Sequence, residues 1–271
     1  MLFIIIAFLI SPVCAIAAEP STQSFPYKKS PQGELSLTAY YPPEWQADDR
    51  RSAIVFFFGG GWQKGSLTQF EPQSQYFARR GLVAFCADYR VKSRHDVDPD
   101  ECVADAFDAL RWVRGHAAEL GIDPDRIIAS GGSAGGHLAA CTALCPEPTS
   151  PDQKISARPN ILILFNPVLD FTSERFVERI DGDAKRAAAI SPLQHLKADS
   201  PPTLIFFGDQ DRLAVQGEAF AARAKELQHK TVLEITPRQN HGFFNKPPFR
   251  ESTLHRAAQF LTDLGYLPAS P

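Results

Sequence analysis

Positive charge is not in excess in this chain: 28 Lys and Arg stand against 31 Asp and Glu, a formal net charge of −3. That balance argues against non-specific nucleic-acid binding and offers no basic surface for lipid headgroups. No internal repeat is visible, and the 17 glycines and 22 prolines are spread along the chain rather than gathered in a low-complexity tract. No CxxC pair and no HExxH motif occur, so a zinc site has no sequence support. Neither glycine cluster fits a nucleotide loop. Gly59-Gly60-Gly61-Trp62-Gln63-Lys64 lacks the last glycine of G-x-G-x-x-G, and Lys64-Gly65-Ser66 reverses the Gly-Lys order of a P-loop. Long apolar runs are also scarce. The one at Met1–Ile10 is about ten residues, short of the roughly 20 that span a bilayer.

That run is followed by small residues at Ala15-Ile16-Ala17-Ala18, so residues 1–18 read as a secretory signal peptide cut near Ala18. The stretch before the run carries no Lys or Arg, and an uncleaved anchor is the rival reading. The expected location is secreted or periplasmic, with no stable membrane insertion once the leader is gone. Residues 25–268 form a single domain in this reading, a natural size for an α/β fold. Hydrophobic residues at 44% and charged residues at 22% are globular values. Four cysteines remain after cleavage: Cys86, Cys102, Cys141 and Cys145. Export would permit pairing in three connectivities. A fold of this size does not need disulfides, so four small buried side chains is the favoured reading.

Short apolar runs alternate with helical patterns, which argues for a mostly parallel sheet covered by helices on both faces, an α/β class. Strands are expected at Leu35–Tyr41 (an early edge strand), Ala53–Phe58, Leu82–Ala87, Arg126–Ala129, Asn160–Phe165, Thr203–Phe207 and Thr231–Ile235. Helices are expected over Pro99–Leu120, capped by Gly121, over Ser133–Leu144, Val215–Leu227 and Phe249–Leu264. Residues 168–200 read as an irregular insertion over the strand ends with one helical stretch, Lys185–Ile190.

Gly131-Gly132-Ser133-Ala134-Gly135 is a G-x-S-x-G set between a buried strand and a helix. The serine there must take a strained conformation to point outward, and the flanking glycines keep side chains out of the turn. A serine hydroxyl needs a base to take its proton. His241, in a loop past the last strand and opened by Gly242, suits that role. His137, one turn into the serine's own helix, reads as packing or hydrogen bonding near the turn. His95, His195, His229 and His255 have no motif around them. The base needs a carboxylate to fix its tautomer. Asp211 is favoured, because a turn beyond the Thr203–Phe207 strand can reach the histidine loop. Asp209 then caps or braces that turn, and Asp170 is the third candidate. An oxyanion wants preorganised N–H donors. Gly60 and Gly61 after a strand, and Ala134 at a helix start, are placed to supply them.

These pieces, with Asp88-Tyr89-Arg90, Asp123-Pro124-Asp125-Arg126-Ile127, Ser191-Pro192, Gly208-Asp209-Gln210-Asp211 and Asn240-His241-Gly242-Phe243, resemble the α/β-hydrolase superfamily in family order. The likeness is to its secreted esterase/lipase branch, including acetyl esterases, feruloyl-esterase-like carbohydrate esterases and hormone-sensitive-lipase-type enzymes. The resemblance implies ester hydrolysis through an acyl-enzyme on a Ser133–Asp211–His241 triad, with no metal and no organic cofactor. The implied substrate is a small ester or an acylated carbohydrate. The family usually carries histidine where Phe58 stands, and that histidine organises the oxyanion loop. Trp62, Leu169, Phe171 and Phe243 flank the site segments and are expected as pocket walls.

Overall fold

A computed structural model describes residues 19–148 and 154–268. The expected leader, residues 1–18, lies outside the described residues. In chain order the elements are β1 (Ser21–Ser30), β2 (Gly33–Tyr41), β3 (Arg51–Phe57), α1 (Glu71–Arg79), β4 (Val83–Ala87), α2 (Lys92–His95) and α3 (Pro99–Gly115). There follow β5 (Ile122–Gly132), α4 (Ala134–Leu144), β6 (Ile161–Phe165), α5 (Glu174–Val177), α6 (Ala184–Ala189) and α7 (Pro192–His195). β7 (Thr203–Gly208), α8 (Ala214–Glu226), β8 (Thr231–Thr236) and α9 (Phe249–Asp263) complete the chain. The strands form one sheet in the order β1-β2-β4-β3-β5-β6-β7-β8. β1 and β2 pair antiparallel, as do β2 and β4; from β4 onward every pairing is parallel. This is the α/β-hydrolase fold.

The central strands are continuous apolar runs because both faces of the sheet are covered. In β3, Ala53, Val55 and Phe57 face one core layer, and Ile54 and Phe56 face the other. α3, α4 and α8 pack their apolar residues (Leu110, Leu138, Phe220) into the first layer. α1 and α9 pack theirs (Phe77, Leu254, Leu261) into the second.

Two expectations need correcting. The strand over Leu35–Tyr41 is not the edge, because β1 pairs along it and takes the outer place. β1 reads STQSFPYKKS, with most side chains exposed, so no apolar alternation announces it. Its anchors are non-local: Phe25 meets Trp112 with ring centroids 5.4 Å apart, and Tyr27 Oη donates to the Asp88 carbonyl at 2.7 Å. The second correction concerns Gly121. α3 ends at Gly115, and turns carry the chain to Gly121, which has φ +63° and leads into β5 rather than capping the helix.

α3 starts where Asp98 and Glu101 form a reciprocal capping box with Pro99 at the first turn. One turn further in, the wholly buried Asp105 accepts from Arg90 Nε at 2.9 Å, from Arg90 Nη2 at 2.9 Å and from the Arg90 backbone N–H at 3.0 Å. Lys28 Nζ, from β1, reaches the same carboxylate at 2.6 Å. Removing the acid would strand a buried guanidinium. Asp105→Ala is therefore expected to cost roughly 3–5 kcal/mol, read as a lower urea midpoint.

Candidate active site

The strand registers gather five loops at one sheet edge. Phe57 lies beside Gly131, Gly132 beside Phe165, Phe165 beside Phe206, and Gly208 beside Thr236. The loops after β3, β5, β6, β7 and β8 therefore leave the same end of the sheet. The strand order reverses between β3 and β5, which opens a crevice at their C-terminal ends.

Ser133 sits in that crevice with φ +54° and ψ −118°, a conformation strained for any residue with a Cβ. The turn is held from behind by the Ser133 N–H, which donates to the Phe165 carbonyl at 2.8 Å. Its tightness explains the glycines. A Cβ on Gly135 would lie 2.0 Å from the Phe57 carbonyl oxygen, and one on Gly131 would lie 2.5 Å from Gly135. Neither position has room for a methyl group.

The structure brings Ser133, His241 and Asp211 together. His241 Nε2 lies 2.8 Å from Ser133 Oγ, and His241 Nδ1 lies 2.7 Å from Asp211 Oδ2. An ionised carboxylate only accepts, so Nδ1 carries the proton and Nε2 is left to accept from the serine hydroxyl. The histidine side chain is 42% exposed and the aspartate side chain 3%, so the relay runs from solvent into the protein. Burial raises the Asp211 pKa, but hydrogen bonds from His241 and the Leu213 N–H, the nearby imidazole and Asn166 outweigh it. The net pKa lies below the ordinary carboxylate value.

The other candidates do other work. Asp209 Oδ1 accepts from the Gln239 N–H at 3.3 Å and braces the turn. Asp170 accepts from the Thr172 N–H and from Ser191 Oγ. His137 is fully buried, with Nε2 2.7 Å from the Ile190 carbonyl, and burial pushes its pKa down to about 4. The four cysteines are buried and free. Among the described residues no group of His, Cys, Asp or Glu could hold a metal ion, and no helix is long and apolar enough to cross a membrane.

The loop after β3 presses against the serine turn. A Cβ on Gly59 would lie 2.8 Å from the Gly132 carbonyl oxygen and 3.4 Å from Ser133 Cβ. Gly60 and Gly61 follow with φ +135° and +64°, and Gly61 lines the same cavity as Ser133. Ala134 opens α4, so its N–H has no acceptor within the helix. Phe58 cannot hydrogen-bond as a histidine would, but it stacks on Tyr89 at 4.1 Å. Tyr89 Oη donates to the Phe58 carbonyl at 2.7 Å.

Three amides escaped the sequence reading. The Gly59 N–H donates to Gln69 Oε1 at 2.6 Å, Gln69 Nε2 donates to Asn245 Oδ1 at 3.2 Å, and Asn245 Nδ2 donates to the Gly242 carbonyl at 3.0 Å. The Gly242 N–H donates to Asn166 Oδ1 at 3.3 Å, and Asn166 Nδ2 donates to Asp211 Oδ2 at 2.7 Å. Gln69 and Asn166 are each oriented by a backbone N–H donor, Asn166 also by the Asp211 carboxylate, and Asn245 by the Gly242 carbonyl, which can only accept. One chain of bonds thus ties the glycine loop to the histidine loop and the acid. Asn166, directly after β6 with φ +46° and followed by Pro167, was the one of the three with a signal at a strand end. Gln69 and Asn245 had none.

The cavity in front of Ser133 measures about 380 Å³, room for one small ligand. Trp62 lines it as expected, together with Val168, Phe176 and Leu213. Leu169, Phe171 and Phe243 do not. Leu169 and Phe171 are fully buried behind the wall, where Phe171 meets the Trp62 ring edge-on at 5.2 Å. Phe243 turns into the opposite core layer against Phe244 and Phe249. Side chains flanking a site in sequence point inward when the loop doubles back on the core, as these do. The insertion over residues 168–200 holds α5, α6 and α7 and supplies Arg175, Phe176 and Arg179 to the cavity wall.

The lowered Asp211 pKa has a sign that can be checked. Its contribution to stability is present above the unfolded carboxylate value and is lost as pH falls through the folded one. Asp211→Asn is expected to be less stable than the parent at pH 7. The gap should narrow as pH drops below about 4, read from urea midpoints across a pH series.

A BD-FAE family model matches residues 37–224. A probable carboxylic ester hydrolase of Mycobacterium tuberculosis, LipM, is 30% identical over 68% of this chain and 48% of its own length. The chain thus spans about half the length of that curated relative. Among solved structures, the thermophilic esterase Est2 of the planctomycete Thermogutta terrifontis with propionate bound is 46% identical, with TM-score 0.88, over 92% of this chain and 97% of that one. The same esterase phosphonylated by sarin matches at 44% identity and TM-score 0.88, over 93% of this chain and 98% of that one. With Ser133, His241 and Asp211 meeting at the crevice of this sheet, the chain belongs to the BD-FAE family, within the esterase/lipase branch of the α/β-hydrolases.

Proposed function

We propose that this protein is an exported serine esterase that removes short acyl groups, acetyl above all, from small esters or acylated carbohydrate. The observation that carries the reading is the hydrogen-bonded relay from Ser133 Oγ through His241 to Asp211, opening on a cavity of about 380 Å³. Ser133 Oγ attacks the ester carbonyl carbon while His241 Nε2 takes its proton. The resulting oxyanion accepts hydrogen bonds from the N–H groups of Gly60, Gly61 and Ala134. Collapse breaks the bond to the alcohol oxygen, which leaves with the proton from His241. Water then attacks the acyl-enzyme, again giving a proton to His241, and the acid departs as Ser133 regains its hydrogen. Asp211 stabilises the imidazolium throughout and keeps Nδ1 protonated.

Two features of the structural relative support the reading. Propionate is a short acid, the size of a product this cavity can hold. Phosphonylation by sarin is the behaviour of a protein with an activated nucleophile, the part that Ser133 plays in this mechanism. Export is supported by the apolar run and small-residue segment of residues 1–18.

Ser133→Ala is expected to lower kcat for p-nitrophenyl acetate by at least about 10⁴-fold and to abolish labelling by a fluorophosphonate probe. A series of p-nitrophenyl esters beside acetylated xylan should show kcat/KM highest for acetyl and propionyl and falling with longer chains. Undiminished hydrolysis in the serine variant would overturn the reading. Gln69→Leu breaks the bonded chain without touching the triad. It should lower kcat by roughly 10-fold with KM little changed, because the oxyanion donors lose their fixed position.

A further inference from the structure

The cavity wall carries an excess of positive charge that no ion pair among the described residues neutralises. Arg175, Arg179 and Arg212 all line the cavity that holds Ser133. Elsewhere the arginines of this chain typically sit on carboxylates, as Arg90 does on Asp105, Arg186 on Asp100 and Arg256 on Glu234. Among the described residues, no carboxylate lies within ion-pair distance of the three cavity arginines. Arg179 Nη1 donates to the Gly61 carbonyl at 3.1 Å, and the guanidinium lies 5.7 Å from the centre of the Trp62 ring. Arg175 rests against Phe176 at 5.6 Å. Asp211, the carboxylate in the wall, is committed to His241, Asn166 and the Leu213 N–H. Glu178 and Asp181 face the neighbouring cavity beside Arg175 and Arg179, but neither forms an ion pair with them.

Two further donors in the wall, Trp62 Nε1 and Arg179 Nε, are buried with no acceptor among the described residues. A buried donor without a partner costs free energy that an incoming acceptor would recover. Burial, then the like charge of Arg175, lowers the Arg179 pKa, as expected where two cations share a site without a counter-ion.

Burial varies across the site. Trp62, Val168 and Phe176 are nearly closed to solvent and form an apolar floor suited to an acyl chain. Arg175 and Arg212 are exposed at the rim, the side open to solvent and so the side left for the alcohol portion if the acyl chain takes the floor. Taking Ser133 as the nucleophile proposed above, we infer that the preferred substrate carries an anionic group, a carboxylate or sulfate, on the alcohol portion of the ester, held by Arg175 and Arg212 at the rim with Arg179 behind them. In carbohydrate terms, this is an acylated acidic saccharide rather than a neutral one. Guanidinium groups match both oxyanions through paired N–H donors.

The test compares the parent with the Arg175→Gln/Arg212→Gln double variant on two pairs of probes. The first pair is 4-acetoxybenzoate and its methyl ester, which differ by one charge on the alcohol side. The second is 4-nitrophenyl hemisuccinate and 4-nitrophenyl butyrate, which place the charge on the acyl side. The acid-to-neutral ratio of kcat/KM for the first pair should fall about 10-fold or more in the double variant, chiefly through KM. Raising NaCl to about 0.5 M should lower the parent's ratio towards the variant's. Acetylated polysaccharides bearing carboxylate or sulfate, run side by side, separate the two anions. An unchanged ratio with salt-independent rates overturns the inference, as does a charge preference confined to the hemisuccinate pair. Both side chains are exposed, and the salt series on the parent needs no variant at all. The two ideas fail separately. Loss of the Ser133 requirement sinks the esterase reading, whereas Ser133-dependent hydrolysis with no charge preference sinks only the anion site.

Discussion

The parallel register of five neighbouring strands is the constraint on which the site depends. Side-by-side pairing of Phe57 with Gly131, Gly132 with Phe165, and Phe165 with Phe206 ends those strands at one level. Each strand then delivers one part: the glycine loop, the serine, Asn166, Asp211 and, after β8, His241. A shift of one residue in any pairing would turn that strand's apolar residues from one core layer to the other. The same burial that stabilises the sheet therefore holds these groups in place. The strain at Ser133 is carried by this frame, through the Phe165 carbonyl and the close contact of Gly135 with Phe57.

Around that frame the hydrogen-bond chain through the amides and Asp211 is directional. Asp211 is buried yet ionised because His241, Asn166 and the Leu213 N–H all donate to it. The amide chain from Gly59 to Gly242 does a job that the family's usual histidine at the Phe58 position would share. Phe58 itself contributes packing on Tyr89, whose hydroxyl holds the Phe58 carbonyl. The loop is braced here by a tyrosine and two amides. Burial raises the Tyr89 pKa and keeps its hydroxyl neutral, so the bracing of the loop against Ser133 carries no charge.

Polarity divides the cavity between floor and rim. Aromatic and aliphatic side chains close the floor, and guanidinium groups without carboxylate partners stand at the rim. Arg175 and Arg179 come from the insertion over residues 168–200, which makes that segment a wall of the cavity rather than a detached surface feature. A segment of this kind can change substrate preference while the sheet and the triad stay as they are.

From sequence alone came the alternation of apolar runs with helical patterns, and hence the sheet and its helices. The glycine-flanked Ser133, the acid at Asp211 and the histidine at 241 were also legible, because each follows an apolar strand and carries a turn residue beside it. Those signals are local, and local patterns suffice where burial and turn geometry dictate residue type. Only the tertiary structure decided what depends on partners distant in the chain. β1 lacks an apolar stripe and is held by Trp112 and Asp105 from α3 and by the Asp88 carbonyl. Gln69 and Asn245 act across 176 residues. Leu169, Phe171 and Phe243 turn into the core although they flank the site in sequence. Which way a side chain in a loop points is set by the packing around it, and that packing is assembled only when the chain is folded.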